Sequence, residues 1–224
     1  MRRRRPRAAP PPVGADPARL FVALELGSVV RGALAEWGSE QVGHVGGLRR
    51  VRPEALHVTL CFLGSHPISA VGEIGVACRA AAGLPAPRLT VGDALWLPRR
   101  RPRVLAIELA DDSAGGDAGG RRLAALQSAL GAALQAGGFY EPETRPFLGH
   151  VTVARMASGK RVAPVALVPP ESLRFDATHV TLYRSLLGSG PARYEALETV
   201  VLTDAPTEAV TRSTAPAPDR SRSW

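Results

Sequence analysis

The sequence predicts an α+β fold of two similar lobes around a shared cleft, on three observations. Apolar alternation marks more strands than helices along the chain. The helical stretches fall between strands, where they would cover the outside of a sheet. One order of elements also occurs twice: a strand, a helix, a turn-rich gap, then a strand with His-x-Thr inside an apolar run. The two runs are His57-Val58-Thr59-Leu60 and His150-Val151-Thr152-Val153. A duplication accounts for the repeat, whose period is too long for a solenoid. Strand side chains alternate, so each His and Thr share one face and the aliphatic residues share the other.

Residues 1–18 are rich in Arg, Ala and Pro, have nothing to bury, and read as a disordered tail. The folded domain is expected over 19–203. Leu20, Val22, Leu24 and Leu26 alternate as a strand, and Ser28 is placed to cap a helix carrying Val30, Leu34 and Trp37. Gly43, Gly46 and Gly47 break the chain before the strand Leu56–Leu63, in which Leu56, Val58, Leu60 and Phe62 are expected on one face. Ser69 is placed to cap a helix with Val71, Ile74 and Cys78. Strands are expected over 88–97 and 103–109, joined by a turn bearing Arg99, Arg100, Arg101 and Arg103. After the flexible stretch Gly115–Gly120, Leu123, Leu126, Leu130 and Leu134 form the stripe of a helix over 121–136, ended by Gly137-Gly138. The second motif strand follows, then strands near 173–185 and 194–202. Residues 204–224 read as a second disordered tail.

Composition narrows the function classes. The formal charge is +8, and Lys160 is the only lysine in a chain rich in Arg, Ala, Gly and Pro. That pattern fits a coding bias, yet a basic core still suits a polyanionic ligand. Cys61 and Cys78 form no CxxC pair, so nothing points to a disulfide framework or a zinc site. No segment has the apolar length of a membrane span, and Pro10-Pro11-Pro12 stands where a signal peptide would be apolar. The expected setting is the cytoplasm, and the expected form a monomer without membrane contact.

The paired motifs carry chemistry without a metal or other cofactor. Histidine titrates near neutral pH, so a pair can hold one neutral and one protonated ring. The neutral ring takes a proton from an attacking oxygen and the charged ring gives one to a leaving oxygen. Thr59 and Thr152 can donate hydrogen bonds to non-bridging phosphate oxygens, and Arg155 adds a cation near the strand end. Phosphodiester cleavage calls for this set. A single His-x-Thr would be unremarkable in a half-buried strand; two in matching contexts are not. A third copy, His179-Val180-Thr181-Leu182, lacks the preceding strand–helix unit and reads as incidental. Of the aromatics, Trp96 reads as core, while Phe147 and Tyr183 are candidates to stack on a base.

Several segments together resemble one family. They are Arg19-Leu20-Phe21-Val22-Ala23-Leu24; the run from Leu56 to Gly64; Arg145-Pro146-Phe147 leading into His150-Val151-Thr152-Val153-Ala154-Arg155; and Val180-Thr181-Leu182-Tyr183-Arg184-Ser185. In this order they resemble the two-histidine (2H) phosphoesterases, within them the RNA 2′,3′-cyclic phosphodiesterases also called 2′-5′ RNA ligases. The resemblance implies a bilobal α+β fold: two pseudo-twofold-related lobes of mostly antiparallel sheet, with outer helices, around a central cleft. It implies His57 as general acid on the 3′ oxygen and His150 as general base on water. Thr59 and Thr152 would hold the phosphate, assisted by Arg155. The substrate would be RNA with a 2′,3′-cyclic phosphate end, or a cyclic nucleotide, and the RNA product a 2′-phosphomonoester. Competing readings are a related enzyme for a small cyclic nucleotide or ADP-ribose cyclic phosphate, and a non-catalytic RNA-binding module. One departure is visible: Gly149 stands where the family commonly has proline, which loosens the approach to His150.

Overall fold

The computed structural model describes residues 17–43, 45–112, 122–186, 192–203 and 211–212. Most of both expected tails, His44 and the Gly115–Gly120 stretch lie outside the described residues. In chain order the elements are β1 (Pro17–Glu25), α1 (Ser28–Val42), β2 (Leu48–Arg50), β3 (His57–Pro67), α2 (Val71–Cys78), β4 (Arg88–Leu97), β5 (Val104–Asp111), α3 (Arg122–Ala136), β6 (His150–Met156), β7 (Leu173–Asp176), β8 (His179–Leu186), β9 (Arg193–Val201) and β10 (Thr211–Arg212). β1 takes in Pro17 and Ala18 of the stretch read as the first tail, with Ala18 only 1% exposed, and β10 pairs with β7 inside the stretch read as the second.

The strands form one sheet in the order β10-β7-β4-β5-β6-β3-β1-β8-β9, with β2 joined to β6, and every ladder between these strands is antiparallel. The fold is α+β, and the two expected lobes are the two halves of this sheet. Each half places its motif strand innermost: β3, β1, β8, β9 on one side and β6, β5, β4, β7 on the other. The repeated units are β1-α1-β3 and β5-α3-β6. Each helix packs against the motif strand of the opposite half, α1 on β6 and α3 on β3.

Hydrophobic burial fixes which face carries the helices. Leu20, Val22 and Leu24 of β1, Val58 of β3, Ile107 of β5, Val151 of β6, and Val180 and Leu182 of β8 are fully buried. They meet Val30, Leu34 and Trp37 of α1 and the leucine stripe Leu123, Leu126, Leu130 and Leu134 of α3. Each such side chain contributes about 1.5–3 kcal/mol by leaving water. Cys61 and Cys78 are free thiols in this core, and burial pushes both up to about 12. Trp96 and Phe147 pack against the same core, partly buried.

Three details differ from the sequence reading. Neither serine caps its helix: Gly27 holds the N-cap of α1, and a 3₁₀ turn over Ile68–Ala70 precedes α2, with no side-chain cap bond in either case. The strand expected over 173–185 is two strands. Ala177 and Thr178 carry the chain from β7, paired with β4, to β8, paired with β1, so it crosses between halves there. Phe62 does not share the face of Leu60, because a bulge at Leu60 reverses the alternation: Thr59 pairs with Ala23 and Cys61 with Val22. Cys61 thereby takes the core position, and Phe62 is 47% exposed.

Candidate active site

The two motif strands pair at one register position, Val58 opposite Val151. In an antiparallel register the next positions set His57 opposite Thr152 and Thr59 opposite His150. These four half-buried side chains share the face away from the helices. Past Val151, β2 takes over the edge of β6, pairing Leu48 with Met156 and Arg49 with Arg155, so β3 and β6 pair only around the motif residues.

Both rings are held in the same way. Nδ1 of His57 donates to the carbonyl of Ala55 at 2.8 Å, and Nδ1 of His150 to that of Leu148 at 2.8 Å. A carbonyl only accepts, so Nδ1 carries the proton and Nε2 of each neutral ring bears the lone pair. Nε2 of His57 also meets the Thr59 hydroxyl at 3.1 Å. The His57 ring stacks on Phe21 at 4.9 Å between centroids, and the edge of Tyr194 approaches at 5.3 Å.

That enclosure has an electrostatic result. Burial lowers the His57 pKa to about 4; the Ala55 hydrogen bond opposes the shift, while the charges of Arg155 and His150 add to it. His57 is therefore neutral in the empty cleft at pH 7. The folded state refuses a proton that the unfolded chain takes up below about pH 6.5. Stability from this group is present above that pH and is lost as pH falls towards 4, by at most about 3 kcal/mol. Urea unfolding at pH 7.5 and 4.5 checks this, and His57→Gln should make the pH dependence shallower.

Arg155 reaches the cleft through a second bulge. Simple alternation from His150 and Thr152 would send Arg155 to the helix face. Thr152 instead pairs with Ala106 and Ala154 with Leu105, so Val153 is the extra residue and Arg155 returns to the cleft face. The bulges at Leu60 and Val153 fall at the same place in the two repeats, which makes Phe62 the counterpart of Arg155. The register exposes a further pair that sequence reading missed: Glu25 lies opposite His57, and Glu108 opposite His150. Ala23-Leu24-Glu25-Leu26 and Ala106-Ile107-Glu108-Leu109 would have revealed it, had the halves been aligned on the strands before each helix. Oε1 of Glu25 accepts from Thr181 at 2.5 Å and from the Tyr183 hydroxyl at 3.0 Å.

His179 begins β8, one residue before the Val180 that pairs with Leu24 of β1, and its Nδ1 lies 2.6 Å from the Thr178 hydroxyl. It lines a separate cavity of about 520 Å³ that shares Glu25 with the site. Two strand spacings, about 10 Å, separate it from the His57 position. Arg99, Arg100, Arg101 and Arg103 are exposed around the β4–β5 turn. Among the described residues, no three His, Cys, Asp or Glu side chains gather as metal ligands do, and no helix is long and apolar enough to cross a membrane.

At Gly149 a side chain of α3 fills the space a Cβ would occupy: the Cβ would stand 2.6 Å from Cδ2 of the buried Leu123. The glycine thus lets α3 pack directly beneath the approach to His150. Gly149→Ala should cost about 1–3 kcal/mol by overpacking. Combining it with Leu123→Ala should cost less than the two single losses added, measured by denaturant unfolding.

Fold and cleft together define a two-histidine phosphoesterase. A family profile described as LigT like Phosphoesterase matches residues 30–106. The RNA 2′,3′-cyclic phosphodiesterase of Escherichia coli (strain K12) is 30% identical over 199 residues, covering 84% of this chain and 98% of that protein. A protein of the same name from Geobacillus stearothermophilus is 27% identical over 191 residues, covering 83% of this chain and 58% of its own length. Among solved structures, E. coli LigT complexed with 3′-AMP superposes with a TM-score of 0.66 at 27% identity, covering 84% of this chain and 99% of that chain. The chain belongs to the LigT-like phosphoesterases of the 2H superfamily, in the family of the RNA 2′,3′-cyclic phosphodiesterases.

Proposed function

We propose that this protein hydrolyses RNA 2′,3′-cyclic phosphate ends to 2′-phosphomonoesters by two-histidine acid–base catalysis without a metal. The observation that carries the reading is the matched pair of imidazoles, each tied at Nδ1 to a backbone carbonyl, which leaves Nε2 as the atom to move the proton. Water attacks phosphorus while Nε2 of His150 takes its proton. The bond from phosphorus to the 3′ oxygen breaks, and Nε2–H of His57 protonates that oxygen. Thr59 and Thr152 donate to the non-bridging oxygens, and Arg155 balances the charge that gathers on them. Assigning the acid to His57 requires the ring to charge on binding: the anionic phosphate favours imidazolium, opposing the burial that keeps the ring neutral when the cleft is empty. The reverse step, joining a cyclic phosphate to a 5′-hydroxyl, would form a 2′-5′ linkage. We read the protein as a cytoplasmic monomer.

A short RNA ending in 2′,3′-cyclic phosphate, incubated with the protein in EDTA, tests this reading. The cyclic end should open, and the product phosphate should resist a 3′-specific phosphatase. Removal of that phosphate overturns the regiochemistry. Loss of activity in EDTA with recovery on adding Zn²⁺ or Mn²⁺ overturns the metal-free mechanism. Hydrolysis of cyclic mononucleotides but not of RNA moves the substrate to the smaller class.

A further inference from the structure

The cleft face of β3, β1 and β8 is a grid of rows fixed by register. His57 and Glu25 form one row, and Thr59, Ala23 and Thr181 the next. Then come Phe62, Phe21 and Tyr183, followed by Ser65, Arg19 and Ser185. The third row is aromatic throughout. Phe21 is 4% exposed, covered by His57 and Tyr194, whereas Phe62 is 47% exposed, and the Arg19 guanidinium lies 5.0 Å from its ring centroid. Two ladder steps, about 7 Å, separate the Thr59 row from the Phe62 row. The mechanism above uses neither Phe62 nor Arg19. The repeat turns Phe62 into the cleft just as it turns Arg155, with a cation on one side of the histidines and an exposed ring on the other.

We propose that Phe62 and Arg19 form a platform for the nucleotide on the 5′ side of the cyclic end. Phe62 stacks on a base, and Arg19, between the hydroxyls of Ser65 and Ser185, holds the adjoining phosphate. The proposal rests on the cyclic-phosphodiesterase reading and narrows its substrate to an RNA chain rather than a cyclic mononucleotide. Every base offers a π-face, so stacking on a ring tolerates sequence. A guanidinium over that ring attracts it through cation–π contact and stays available to a phosphate. A cyclic mononucleotide fills the histidine and threonine rows and leaves Phe62 bare; a second nucleotide covers it.

The test compares kcat/KM for 2′,3′-cyclic AMP with that for a trinucleotide ending in 2′,3′-cyclic phosphate. The wild-type protein should favour the trinucleotide, and Phe62→Ala should lower that rate by about tenfold or more. Phe62→Tyr should keep it, Phe62→Leu should not, and cyclic AMP should change by no more than about twofold. Arg19→Ala should reduce by about one the salt slope of binding to a trinucleotide carrying the 2′-phosphate product end. Equal losses on both substrates, or none on either, overturn the platform while leaving the cyclic-phosphodiesterase reading intact. A wild-type protein that opens neither substrate overturns that reading and the platform with it.

Discussion

Replacing His57 or His150 with alanine is expected to lower kcat/KM on a cyclic-phosphate RNA by about 10²–10⁴-fold each, the usual contribution of a general acid or base. The double variant should be far less than multiplicatively worse, because two groups that move protons in one step act as a unit. His179→Ala is the control. It stands on β8, two strands from β3, with its ring bonded to Thr178, and its loss should change the rate by less than about threefold. Steady-state kinetics on the three variants checks this. A His179→Ala loss equal to that of His150→Ala, in a folded protein, would place the chemistry on a different pair.

Thr59→Val and Thr152→Val are expected to lower kcat by about 10²–10³-fold each, the cost of removing one preorganised donor to a developing negative charge. Valine keeps the branched shape and the strand preference, so the change isolates the hydroxyl. Serine at either position restores the donor and should recover most of the rate. The two sites are not equivalent in the empty cleft, because the Thr59 hydroxyl also meets Nε2 of His57 at 3.1 Å. Thr59→Val should therefore shift the pH dependence as well as the rate, while Thr152→Val should change the rate alone. Wild-type turnover in both valine variants would remove the threonines from phosphate binding.

The sequence made the repeat legible because its strongest signal is local: His and Thr two apart in an apolar run already define one face of a strand. The buried positions of α1 and α3 followed from helical spacing for the same reason. What stayed hidden depends on partners distant in sequence. Period-two counting from His150 would send Arg155 to the core and keep Phe62 with Leu60, and only pairing with β5 and β1 discloses the bulges at Val153 and Leu60. The break between β7 and β8 was invisible because both pieces are strand-like; the chain changes neighbours there, not local character. Gly149 reads as a loosening in the sequence because Leu123, which fills the space its missing side chain leaves, belongs to a helix distant along the chain. Low His57 basicity could not be read from the motif, since it comes from burial against Phe21 and Tyr194, brought together by β1 and β9.

The pH dependence of kcat/KM on a cyclic-phosphate RNA, in EDTA, tests the paired-histidine account most directly. This quantity reports the free protein, where one ring must be neutral and the other protonated. The account predicts a bell with one limb near pH 4, where burial puts His57, and a shape that collapses to a single limb in His57→Ala. A rate that climbs without limit towards alkaline pH, alike in wild type and His57→Ala, would contradict it.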